Sequence, residues 1–107
     1  QPVPLPHARR NLETLARLLA KRDAHLILAS EGLTPNPDPL LLYFELLADI
    51  AREHDNVTYL DTAGMLHAGT HAEYFLDENH LSAAGHQAVA VAFHDALARL
   101  GLPGGAP

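Results

Sequence analysis

Asp77 and His80 stand three positions apart in the stretch DENHLSAAGH, with Ser82 and His86 close behind. A carboxylate and an imidazole at that spacing can share one tight loop and form the acid–base part of a hydrolytic triad. In such a triad the imidazole takes a proton from the nucleophile. The carboxylate bonds the other ring nitrogen, fixing the tautomer and stabilising the imidazolium. The bland reading is helix capping, because Ser82 stands just before an Ala-rich periodic segment and its hydroxyl can accept from an orphan amide of the first turn. Capping accounts for Ser82 and Gly85. It leaves Asp77 and His80 unexplained, since both lie ahead of the helix. His86 falls on the same helical side as Val89, Ala90 and Phe93 and is expected to be packed and hydrogen-bonded, whereas His94 falls on the opposite side, in solvent.

A second chemistry is open. His67, His71, Asp77, His80 and His86 lie within twenty residues, and imidazoles joined by a carboxylate suit zinc or a similar ion. His67 and His71 have helical ligand spacing, yet the intervening AGT breaks helical character and no His-Glu-x-x-His signature with its general-base glutamate is present. A nucleophile is harder to find. The chain holds two serines, Ser30 and Ser82. Ser82 suits a cap better than an attack position, and Ser30 ends an apolar run without the Gly-x-Ser-x-Gly elbow, which leaves it a minor candidate. Asp61 and Glu31 follow apolar runs on the same functional edge and are expected to be structural or substrate-lining.

The elements that must position these groups follow from periodicity. Between Arg9 and Arg22, Leu12, Leu15, Ala16 and Leu19 fall on one helical face. The run AHLILAS, residues 24–30, suits a strand buried on both faces of a parallel sheet. EGLTPNPDP is a breaker-rich loop in which prolines 35, 37 and 39 forbid regular pairing, and Pro39 suits a first helical turn. Leu40, Tyr43, Phe44, Leu47, Ile50 and Ala51 form the next apolar stripe. VTYL, residues 57–60, reads as a second strand ending at Asp61. Residues 62–80 read as irregular, with one helical turn near 63–67. A last helix over residues 83–100 buries Val89, Ala92, Phe93, Ala96, Leu97 and Leu100, and Gly101 followed by Pro103 stops it.

Strands joined through helices pair in parallel, and parallel sheets need both faces covered. Two strands alone do not make such a sheet. The pattern therefore predicts the second half of a doubly wound α/β domain whose other strands come from a missing N-terminal segment or a companion chain. At 107 residues the chain is one domain, with residues 1–8 (QPVPLP and its neighbours) expected as an extended lead-in and 102–107 as a flexible tail. The opening on Gln1 suggests a processed or truncated piece.

Composition bounds the partners. A formal charge of −6, from 7 basic and 13 acidic residues, argues against a phosphate-tracking surface, so nucleic acid is not an expected partner. No run of twenty apolar residues occurs, so no transmembrane segment is expected. Without cysteine there are no disulfides or thiolate metal sites, and the compartment is not legible.

The segment YFLDENHLSAAGHQAVAVAF resembles the last conserved block of the SGNH hydrolases, the GDSL-type esterase and lipase superfamily, in which Asp-x-x-His precedes a small-residue helix start. ARRNLETLARLL is similar to the helix after that family's Asn-containing block, HLILASEGLTP to the next sheet strand with its loop, and DNVTYLDTAGML to the strand ahead of the catalytic loop. The resemblance implies a three-layer α/β/α, flavodoxin-like fold with its C-terminal half present. It also implies a serine esterase acting on a small ester or O-acylated sugar through an acyl-serine, with Asp77 as triad acid, His80 as general base and no metal or other cofactor. The Gly-Asp-Ser nucleophile block and the oxyanion-hole glycine and asparagine blocks of that family are not among these residues. The alternatives are a His-rich metal-binding domain and a noncatalytic interaction module that uses the apolar helix faces to cover an incomplete sheet.

Overall fold

The computed structural model describes residues 4–30, 40–67, 71–76 and 80–102, with backbone alone for His71 and Ala72. Its elements are α1 (Leu5–Ala20), β1 (Leu26–Ala29), α2 (Leu41–Glu53), β2 (Val57–Leu60), α3 (Thr62–His67), α4 (His71–Tyr74) and α5 (Ala83–Leu100). The architecture is mixed α/β, mostly helical, with β1 and β2 paired in parallel. Among the described residues the sheet has these two strands and no helix is long and apolar enough to cross a membrane.

The chain divides into two compact bodies. One holds α1, β1, α2 and β2 as far as Tyr59; the other holds α3, α4 and α5. In the first, Ala16 of α1, Leu46 and Ile50 of α2 and Val57 of β2 form a buried cluster, with Leu5, Ala8, Leu12, Leu26, Leu28 and Ala51 packed against it. Leu26 and Leu28 are two apart on a strand and therefore share a face, so both helices cover one face of β1. Burying a side chain such as the fully enclosed Ile50 stabilises by about 1.5–3 kcal/mol. Asn56 adds a polar tie in which its side-chain amide donates to the Ala16 carbonyl at 2.9 Å and the Ala24 carbonyl at 3.3 Å. The Asn56 carbonyl accepts from the Leu26 amide at 2.8 Å. One asparagine thus joins the end of α1, the entry to β1 and the start of β2. His25 and Thr58 meet across the strands, with ring Nε2 and hydroxyl 2.7 Å apart.

Several expectations need correction. Helix α1 begins at Leu5, so residues 5–8 are not an extended lead-in; Pro6 lies in the first turn, where its fixed φ fits a helix and its missing amide costs nothing. Leu15 is exposed while Leu5 and Ala8 join the core. In α2 Leu46 is buried and Leu47 only half-buried. β1 is not buried on both faces: Leu26, Ile27 and Leu28 are half-buried and Ala29 exposed, as follows when, among the described residues, β2 is the one strand paired with it. Residues 1–3, Glu31, the three loop prolines and the tail from Pro103 lie outside the described residues.

The second body is built on α5. Its buried residues, among those described, include Gly85 and Ala96 on the helix and, around it, Thr62, Ala63 and Leu66 of α3 and Phe75 after α4. Val89, Ala92, Phe93 and Leu97 are half-buried as the stripe predicts, while Leu100 at the helix end is exposed. The expected stop is present. Gly101 has φ 68°, a left-handed value that suits glycine. Its amide donates to the Ala98 carbonyl, and the Leu102 amide to the Leu97 carbonyl, the paired closure of a Schellman motif. Leu102 is therefore part of the helix end rather than of a loose tail.

Candidate functional site

The stretch from Glu73 to His86 is organised by a short antiparallel clasp. Phe75 and Leu81 form an isolated bridge. The Leu76 amide donates to the His80 carbonyl at 2.8 Å, and the Ser82 amide to the Tyr74 carbonyl at 2.7 Å. These bonds flank the Phe75–Leu81 pair, which makes it the closely spaced, non-hydrogen-bonded kind whose side chains lie together on one face. Phe75 goes inward and is buried, and Leu81 is half-buried beside it. His80, whose carbonyl the Leu76 amide holds, is itself exposed.

Helix α5 starts at the foot of the clasp. Ser82 has extended backbone angles, φ −71° and ψ 174°, and its hydroxyl accepts from the Gly85 amide at 3.1 Å. The expected cap is present. The hydroxyl also donates to the Glu73 carbonyl at 2.6 Å, a bond the sequence did not signal. Gly85 is buried, and a Cβ there would overlap the Tyr74 carbonyl oxygen and lie 3.2 Å from Leu81 Cβ. Glycine is needed at this position because backbone meets backbone, not because of an unusual φ.

Other candidates fall elsewhere. Asp77 lies outside the described residues. His86 is exposed rather than packed, and His94 is exposed, 3.7 Å from the neighbouring Asp95 carboxylate. The covered side of α5 runs through Gly85, Val89, Ala92, Phe93 and Ala96, while His86 and Ala90 at the margin of the stripe are exposed. Ser30 is 3% exposed, which removes it as a nucleophile open to substrate. Asp61 is the N-cap of α3: its carboxylate accepts from the Gly64 amide at 2.9 Å and its carbonyl from the Met65 amide at 3.1 Å. That is a structural task, as one of the two expectations for it held.

The histidines do not converge in the described part. Among the described residues no group of three or more His, Asp or Glu side chains is placed to hold a metal ion; the His71 side chain and Asp77, two of the five candidate ligands, are outside that description. His67 is instead a packing residue. Its ring stacks on Phe75, centroids 5.4 Å apart and planes at 28°, and its Nε2 is buried with no hydrogen-bond partner among the described residues. Neither the stack nor the Phe75–Leu81 bridge was legible in the sequence, because residues 71–76 carry no period of 2 or 3.6 long enough to register.

A separate cleft of about 380 Å³ lies in the first body, lined by Leu5, Pro6, Arg9, Leu42, Glu45, Leu46 and Asp49. Its basic member is engaged: the Arg9 guanidinium sits 3.2 Å from Glu53, 3.6 Å from Asp49 and 3.9 Å from Glu13. Comparison with known proteins returns no significant match among protein-family models, curated proteins or solved structures.

Proposed function

We propose that this chain supplies the acid–base part of an SGNH-type serine hydrolase, with His80 as general base and Asp77 as the carboxylate that orients it. The observation that carries this reading is the clasp: the Leu76 amide holds the His80 carbonyl while His80 stays exposed just ahead of α5. His67, by contrast, is half-buried with its ring stacked on Phe75. The parallel β1–β2 pair with its helical cover on one face supports a larger three-layer domain, because a parallel sheet becomes stable when both faces are covered.

In the proposed reaction a serine hydroxyl from outside these residues attacks the ester carbonyl carbon while His80 takes its proton. The tetrahedral intermediate collapses to the acyl-serine, and His80 returns that proton to the departing alkoxide. Water then repeats the sequence on the acyl-serine, releasing the acid and restoring the hydroxyl. Asp77 stays ionised throughout and stabilises the imidazolium. Oxyanion donors also come from outside the chain.

The test uses the polypeptide in which these residues follow a Gly-Asp-Ser block. Turnover of an aryl acetate should fall about 1,000- to 10,000-fold with His80→Ala, and by a similar factor with Asp77→Asn. Turnover unaffected by either change, or no such serine block ahead of these residues, overturns the reading.

A further inference from the structure

We infer that Ser82 is a positioning residue for His80 and not solely the cap of α5. The inference deepens the hydrolase reading and rests on it for the word positioning. A serine hydroxyl has one proton to donate and lone pairs to accept with. Capping uses only the acceptor side, here on the Gly85 amide. The proton goes to the Glu73 carbonyl, and the Ser82 amide goes to the next carbonyl along, that of Tyr74.

Glu73 and Tyr74 end α4, where carbonyls have no partner within the helix. Ser82 therefore serves two helix ends at once, the carboxyl end of α4 and the amino end of α5. His80 lies two residues ahead of this strap. Its own carbonyl is held by the Leu76 amide, and two residues later the chain is strapped to α4 through Ser82. The backbone that carries the imidazole is thereby fixed at its own carbonyl and again two residues on, which serves a general base whose ring must meet a proton within a few tenths of an ångström.

Substitution can separate strap from cap. Glycine is nearly as good as serine at an N-cap, so Ser82→Gly keeps α5 but gives up the bond to Glu73, and Ser82→Thr restores the hydroxyl. In the chain as it stands, Ser82→Gly should speed amide exchange at Leu76 and Ser82 at least tenfold. Amides in the middle of α5 should stay within about twofold of native, and Ser82→Thr should return both values. The nitrogen spectrum of His80 is the readout that a purely structural role would not move: one ring tautomer should dominate in the native and threonine chains and give way to a mixture with glycine. Unchanged exchange at Leu76, or equal acceleration throughout α5, overturns the inference. Failure of the hydrolase reading shows separately, as Asp77→Asn leaving the tautomer ratio untouched while the clasp amides stay protected.

Discussion

Replacing Gly85 by alanine sets two effects of opposite sign against each other. In a helix, alanine is favoured over glycine by about 1 kcal/mol. Against that gain, the new Cβ would overlap the Tyr74 carbonyl oxygen and press on Leu81 Cβ. Forcing an extra carbon into a formed contact costs about 1–3 kcal/mol. The obstacle here is backbone, unable to rotate away and already bonded to the Ser82 amide, so the upper end applies and the clash wins by about 2 kcal/mol. At about 4–8 °C per kcal/mol for a domain of this size, the melting temperature should drop by about 10 °C. Gly64→Ala is the internal control. The atoms nearest its Cβ would be those of the Asp61 carboxylate, the end of a side chain that can swing aside. Losing that cap costs about 1 kcal/mol and the helix preference returns about the same, so the net change should be near zero. Urea unfolding followed by circular dichroism, with resolved amide signals from α5 and α1, measures both. Gly85→Ala as stable as native, or equal losses from the two alanines, would refute the argument from close approach.

Asn56→Ala should cost about 1–3 kcal/mol, because the Ala16 and Ala24 carbonyls lose their shared donor; Asn56→Asp, which turns oxygens toward oxygens, should cost more, and a thermal melt of the two variants orders them. His67→Phe should stabilise by about 1 kcal/mol, since it keeps the stack on Phe75 and removes a buried nitrogen without a partner among the described residues; a lower melting temperature would show that the nitrogen is needed. Arg9→Met should cost about 0.5–1 kcal/mol at low salt, as three acidic neighbours lose an exposed cation. That loss should vanish in 1 M salt, where screening acts within about 3 Å; a penalty independent of salt would mean that the arginine stem, not its charge, matters.

What could be read directly from the chain was whatever depends on neighbours in sequence. Helix α5 with its serine start and glycine stop, the two short strands and the apolar stripes of α1 and α2 all follow from local hydrogen-bonding rules and from period. The Asp-x-x-His spacing was legible for the same reason. Long-range pairing was not. Nothing local says that Asn56 will reach Ala16, that Phe75 will bridge Leu81, that the Ser82 proton will go to Glu73, or that His86 will face solvent. These depend on which surfaces meet once helices pack, and a side chain with two possible partners is assigned by that packing. Pro6 shows the converse: its rigid ring is as much at home in a first helical turn as in an extended lead-in, and the burial of Leu5 and Ala8 against the core decided for the helix.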